Sequence, residues 1–310
     1  VGTMGLLEED ERHLVKGYIV NKFKGEPSLF DNAHPIIAAR TGLGSLGVVP
    51  WFEPAADLPA EDVLGLKGEA RPGGIRIVVP RLPRISNFDD LDPLRLEPDV
   101  DLLVLEPGRA IPGDADLVLL PGSKATRGDL AALRVAGWDI DILAHHRRGG
   151  WVLGLCGGYQ MLGQLVHDPL GLEGLPGSSP GLGLLDIETT LAPQKTVRLA
   201  IAEETTTGQA VQGYEIHQGR TIGPDTARPM LRLGGQPDGA ITRDGRVMGA
   251  YLHGLFQSDA FRHAFLSRLR RRDASDLAYA ARIDAVLDEL AAHLAAHLDM
   301  ARIAAIAGLR

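Results

Sequence analysis

The sequence predicts an α/β protein built on a mixed, largely parallel sheet, with a smaller α/β unit before it and helices after it. Three observations lead there. Short apolar runs recur at 75–79, 100–105, 116–120 and 151–155, spaced widely enough for crossover helices. The run at 151–155 feeds straight into a glycine-flanked cysteine and a helix-compatible stretch. Beyond residue 259 the chain turns Ala-, Leu- and Arg-rich, with helical periodicity and no strand signal.

In chain order, two strand-like runs at 17–23 (GYIVNKF) and 47–50 (GVVP) flank a helix-compatible stretch over about 28–40. Residues 54–74, rich in Pro, Gly and acidic side chains, read as a linker with a short helical turn. The four runs that follow are apolar almost throughout, as strands covered on both faces are. One helix is expected between the last two, over about 129–148. A more antiparallel portion is expected at 189–202, 213–217 and 247–252. The expected division is therefore 1–72, 73–258 and 259–310.

Composition narrows the function classes. A chain of 310 residues accommodates one large or two smaller domains, and 45% apolar with 23% charged residues is ordinary for a soluble globular protein. The longest apolar runs fall well short of the roughly 18 residues that span a bilayer. The start, VGTMGLLEEDER, is acidic and lacks a cleavage-site pattern, so it is not a signal peptide. Opening on Val1 inside what reads as the tail of an element, it suggests a fragment of a longer chain, and the cytoplasm is the expected compartment. One cysteine excludes a disulfide framework and a cysteine-rich zinc site. A net charge of -8 argues against nucleic acid as a partner, since that binding is driven by phosphate neutralisation. His293 and His297 stand four apart, a metal-compatible spacing, but no zincin-like third ligand follows and no metal is expected. The segment 42–47 (GLGSLG) matches the dinucleotide-binding glycine pattern with its context reversed: a helix precedes and a strand follows.

Chemistry concentrates in three segments. In 152–163 (VLGLCGGYQMLG) a strand meets Gly-x-Cys-x-Gly and then a helix, the cysteine counterpart of a nucleophile elbow. The helix N-terminus presents unpaired N–H groups and positive dipole to the sulfur of Cys156. An unperturbed thiol, with pKa about 8.5, is only a few per cent ionised near neutral pH, so it needs that field and a basic partner. His253, in 249–256 (GAYLHGLF), sits at a strand's C-terminal edge, where open α/β sheets collect their sites; His217, in 213–219 (GYEIHQG), is its rival. In 119–125 (LLPGSKA) a strand runs into a glycine-containing turn. There the N–H of Gly122, with that of Gly157, would make a two-donor oxyanion hole.

Together these segments resemble a triad (class I) glutamine amidotransferase domain, of flavodoxin-like fold. More narrowly they resemble the cobyric acid synthase family of cobalamin biosynthesis. That resemblance rests also on 81–88 (RLPRISNF), 92–94 (DPL), 120–126 (LPGSKAT), 213–217 (GYEIH) and 16–25 (KGYIVNKFKG), and covers nearly the whole chain. It implies Cys156 as nucleophile on glutamine, His253 as general base and acid, and Gln160, Tyr214 and His217 as substrate-binding residues. It also implies an ATP-using synthetase domain, with Mg2+, that amidates four propionate carboxylates of the corrinoid adenosylcobyrinic acid a,c-diamide. This chain has no Gly-x-x-x-x-Gly-Lys-Ser/Thr phosphate loop, so it reads as the end of that domain plus the amidotransferase, with the glutaminase half alone expected to work. Many triad enzymes place a glutamate two residues beyond the histidine. Here that position is Leu255, which leaves a Cys–His dyad with Glu215 as a possible orienter. Two alternatives stay open: another amidotransferase of the subgroup, such as cobyrinic acid a,c-diamide synthase or a cell-wall amidating subunit, and a catalytically incomplete binding module.

Overall fold

The structure is a computed structural model and describes residues 1–59 and 70–309. The chain forms two compact units, one of residues 1–58 with 281–310 and one of residues 59–280. The helices expected as a single C-terminal segment are therefore shared between the units. Of the linker expected at 54–74, the part at 60–69 lies outside the described residues; its start forms a 3-10 turn, Glu53–Asp57.

In the first unit β1 (Tyr18–Phe23) and β2 (Ser45–Pro50) pair in parallel, connected through α1 (Ala33–Thr41). The helix is shorter than the sequence suggested, because a separate 3-10 turn, Pro27–Phe30, precedes it. Pro35 explains the difference. In a helix begun at 28 it would sit in the interior at a cost of about 3 kcal/mol, whereas in the first turn its missing N–H costs little. The 42–47 glycine segment lies after this helix and before β2, the reverse of the dinucleotide-binding order. The C-terminal chain packs on the same strand pair. Leu298 bridges Gly47, Asp299 N–H donates to the Leu46 carbonyl at 2.8 Å, and Arg282 pairs with Asp57 at 2.5 Å. His293 donates from Nε2 to the Pro50 carbonyl (3.1 Å), and Nδ1 of His297 lies 2.8 Å from the His293 carbonyl. Both imidazoles thus have structural partners, and no group of three or more metal-ligating side chains occurs among the described residues.

The second unit carries β3 (Ile75–Pro80), β4 (Val100–Leu105), β5 (Leu117–Leu120), α2 (Thr126–Val135), α3 (Trp138–Arg147), β6 (Trp151–Leu155), α4 (Gly157–Leu162), β7 (Glu188–Glu204), β8 (Ala210–Ile222), β9 (Val247–Ala250), β10 (Leu252–His253) and α5 (Asp259–Leu269). Its central sheet runs β4–β3–β5–β6–β9, parallel throughout, with Ala240–Ile241 antiparallel at the edge. Numbered within this unit the order is 2-1-3-4-5, the flavodoxin-type double winding. Alternate side chains serve two cores. Ile77, Leu119 and Leu153 pack with Phe256, Phe261 and Phe265 on one face; Val78, Val118 and Val152 pack with Leu130, Trp138 and Ile142 on the other. Covering on both faces is what removes the polar alternation from these strands.

The helix expected over 129–148 is two helices, because Gly137 adopts a left-handed conformation (φ 75°) between α2 and α3. The strand expected at 247–252 is divided between sheets. Val247–Ala250 is parallel to β6, whereas Leu252–His253 pairs antiparallel with β8 at Glu215 and Tyr214. β7 and β8 form a long antiparallel hairpin, flanked in parallel by Leu165–Asp168. Among the described residues no helix is long and apolar enough to cross a membrane.

Candidate active site

The cysteine stands at the C-terminal edge of β6. Cys156 has φ 51° and ψ -108°, a region that ordinary residues avoid, and its N–H donates to the Ala250 carbonyl at the end of β9 (2.9 Å). Strained backbone of this kind persists only where the surroundings over-determine it. Here they do. A Cβ added at Gly154 would lie 2.6 Å from the Gly158 carbonyl carbon, and one added at Gly158 would fall on the Leu120 carbonyl oxygen. Replacing Gly158 by alanine forces β5 and α4 apart. Overpacking of this kind costs about 1–3 kcal/mol, so the melting midpoint should fall by roughly 2–10 °C for a domain of this size. An unchanged midpoint in a thermal melt would show that the contact is slack.

The same edge receives His253. After β9 the chain passes through Tyr251 and enters β10, which fixes the imidazole, fully buried, beside the elbow. A Cβ on Gly122 would lie 3.0 Å from His253 Cε1, so the strand-to-turn segment at 119–125 meets the same point. Nδ1 of His253 donates to Asp90 Oδ2 at 2.6 Å, and Asp90 Oδ1 accepts the Gly254 N–H at 2.6 Å. Asp90 can only accept, so the proton is on Nδ1 and the other ring nitrogen, Nε2, has no conventional hydrogen-bond partner among the described residues. Burial by itself would lower the His253 pKa. The adjoining Asp90 charge and hydrogen bond, and after them the Cys156 sulfur, outweigh burial and push it up to about 10. At neutral pH the ring is therefore an imidazolium that the Cys156 sulfur helps to hold charged.

Cys156 opens on a cleft of about 420 Å³, within the range of small-molecule sites. Gly157, Gln160 and His217 line it. The Gln160 amide is already engaged: Thr126 donates to its Oε1 (2.8 Å), and its Nε2 donates to the Gln218 carbonyl (3.0 Å) and Tyr251 hydroxyl (3.3 Å). His217 stacks on Tyr251 with ring centroids 3.8 Å apart, and burial lowers its pKa, so it is largely neutral at pH 7. Tyr214 stacks behind His253 (5.3 Å, 22°) and donates to Asp89 (3.1 Å) while accepting from Asn87 (2.9 Å). Gly122 lies against the imidazole, although Ser123 is its neighbour that lines the cleft.

The structure supplies a member that the sequence reading lacked. His253, for which Leu255 left no orienting partner in the sequence, is held by Asp90 from a 3-10 turn (Phe88–Leu91) 163 residues earlier in the chain. Glu215, the orienter considered from sequence, instead pairs with Arg198 and sits 3.6 Å from His217. The available signal was the acidic pair Asp89-Asp90 beside RISNF, but no local spacing rule connects it to a distant histidine.

A cysteine elbow, a buried imidazole clamped by a carboxylate, and 2-1-3-4-5 winding define the class I glutamine amidotransferase-like α/β fold. The chain belongs to the CobB/CobQ-like glutamine amidotransferase domain family, whose model matches residues 76–261. It is 54% identical to the cobyric acid synthase of Bradyrhizobium diazoefficiens over 99% of its length, and 56% identical to that of Paracoccus denitrificans, also over 99%. It spans 64% and 63% of those two proteins. Among solved structures, PurLQS from Thermotoga maritima aligns at TM-score 0.46 and 16% identity, covering 70% of this chain and 99% of that one.

Proposed function

We propose that this chain is the glutamine-hydrolysing part of a cobyric acid synthase, with Cys156 as nucleophile, His253 as proton carrier and Asp90 as the residue that positions it. The observation that carries the reading is the line Asp90–His253–Cys156 at one sheet edge, closed by a 2.6 Å hydrogen bond and open to a cleft at the sulfur. The sulfur, as thiolate, attacks the side-chain carbonyl carbon of glutamine, and the carbonyl oxygen takes the negative charge. N–H groups of Gly157 and Gly122 are the donors assigned to that oxyanion. As the tetrahedral species collapses, the imidazolium gives its Nε2 proton to the departing nitrogen, ammonia leaves and a thioester remains. The now neutral ring takes a proton from water as the water attacks the thioester. Glutamate departs, and thiolate and imidazolium are restored. Gln160 and His217 shape the cleft, while Tyr214 backs the imidazole.

In this reading the ammonia amidates carboxylates of adenosylcobyrinic acid a,c-diamide, activated by ATP in the whole enzyme. This chain has no phosphate loop, so in this reading ATP and Mg2+ are held by the rest of the whole enzyme. A reactive glutamine analogue, 6-diazo-5-oxo-L-norleucine, tests the glutaminase reading. Mass spectrometry should find one adduct per chain, at Cys156, suppressed by excess glutamine. An unmodified Cys156 under native conditions would refute it and favour an inert module.

A further inference from the structure

The RISNF segment and the aspartates after it meet the site at three points. Ile85 and Ser86 pair antiparallel with Ser123 and Gly122, and a Cβ on Gly122 would lie 3.0 Å from both the Ser86 carbonyl oxygen and His253 Cε1. Asn87 then takes a left-handed backbone (φ 52°), which asparagine tolerates better than most residues. That bend starts the 3-10 turn Phe88–Leu91, whose Asp90 holds the edge of the imidazole. The third point is Tyr214. Its hydroxyl accepts from Asn87 Nδ2 (2.9 Å) and donates to Asp89 Oδ2 (3.1 Å), on either side of Phe88. Its ring lies over that of His253, with centroids 5.3 Å apart and planes inclined by 22°.

One turn therefore reaches the imidazole twice, at its edge through Asp90 and at its face through Tyr214. The face of an aromatic ring is negative and attracts a cation, more strongly where water is excluded. We infer that Tyr214 is a positioning residue of the hydrolysis: its ring covers one face of the charged imidazole, and Asn87 and Asp89 lock that ring to the turn that carries Asp90. This rests on the glutaminase reading and adds to it a residue that does not line the cleft. Burial raises the Tyr214 pKa, so the phenol stays neutral and keeps its proton for Asp89. Burial, and after it the Asp90 charge, hold the Asp89 pKa above its ordinary value, and the Tyr214 hydroxyl opposes them. The titratable groups facing His253 come from the turn (Asp89, Asp90), the elbow (Cys156) and β8 (Tyr214, and His217, which burial keeps largely neutral). The competing role is structural, since the same contacts tie β8 to the turn.

The test titrates His253 directly, by imidazole NMR of protein isotopically labelled at histidine and assigned with His253→Asn, and follows kcat and KM for glutamine over the same pH range. The wild-type ring should titrate near pH 10. Tyr214→Leu removes the face. Its midpoint should fall by about 0.3–1.5 pH units, a roughly 2- to 30-fold stronger acid, and the alkaline limb of kcat should follow while KM changes little. Tyr214→Phe keeps the face and gives up the lock. Its midpoint should stay, and kcat should drop by roughly 2- to 10-fold, the worth of a hydrogen bond. A wild-type midpoint in Tyr214→Leu, whether or not its melting temperature falls, would leave Tyr214 a structural role only and overturn the inference. An effect confined to KM would place Tyr214 on the substrate and overturn it equally. Failure of the glutaminase reading shows separately: a wild type that neither hydrolyses glutamine nor reacts with 6-diazo-5-oxo-L-norleucine refutes that reading whatever the titrations give, and this inference falls with it.

Discussion

Cys156→Ser is expected to remove glutamine hydrolysis almost completely, with turnover at least about 10⁴-fold below wild type; removing the nucleophile of a serine protease costs on the order of 10⁶. The exchange of sulfur for oxygen is not conservative at this elbow. A serine hydroxyl must lose its proton during attack, which requires a neutral imidazole. His253 stays protonated to about pH 10 in the wild type, and the larger part of that shift comes from Asp90, which the substitution leaves in place. The variant therefore pairs a protonated hydroxyl with a protonated base, and neither can act. Binding should persist, because the cleft walls at Gln160, His217 and Glu173 are untouched. Ammonia release and calorimetric titration with glutamine measure the two separately. Turnover above about 1% of wild type with unchanged binding would mean that another group performs the attack.

The frame of this protein was legible because its central strands carry their own signal. Strands at 75–80, 100–105 and 151–155 are largely buried and read as apolar runs broken only by Arg76 and Asp101, and the elbow announces itself by glycines that α4 and β5 demand. What failed was whatever depends on a distant partner. Val247–Ala250 and Leu252–His253 look like one strand because both are apolar, yet parallel pairing with β6 claims the first and antiparallel pairing with β8 claims the second. Gly137 falls between two helices that both read as helix-compatible, and its left-handed φ separates them. Residues 281–310 have helical periodicity but nothing in it tells that Leu298 and Asp299 answer Gly47 and Leu46. Asp90 is the sharpest case. Its role is set by one hydrogen bond to a residue 163 positions away, and a carboxylate on an aspartate-rich turn has many reasons to be there.

That residue also gives the most discriminating test of the site. Asp90 accepts two hydrogen bonds, from His253 Nδ1 and from the Gly254 N–H, so Asp90→Asn cannot satisfy both: turning its oxygen to one donor points its amide N–H groups at the other. A buried donor left without an acceptor costs about 1–3 kcal/mol, and the ring loses its fixed tautomer. Turnover should fall by about 10²- to 10⁴-fold, the range of general acid–base contributions, with KM for glutamine changed far less because Asp90 does not line the cleft. The pH dependence separates positioning from simple loss of stability. In the wild type the His253 pKa is raised from 6.5 to about 10, so its pairing with Asp90 stabilises the fold fully below about pH 6.5 and ceases to do so as pH rises through 10. The imidazolium that protonates the leaving nitrogen persists over the same interval. Without the Asp90 charge only the Cys156 sulfur still opposes burial of the ring, so its pKa drops and the alkaline limb of kcat should move down from near pH 10. The stability gap between wild type and variant should be widest at and below neutral pH and close as pH approaches 10. A variant that loses turnover but keeps the wild-type alkaline limb would show that Asp90 does not set the charge on His253, and the triad would revert to a dyad.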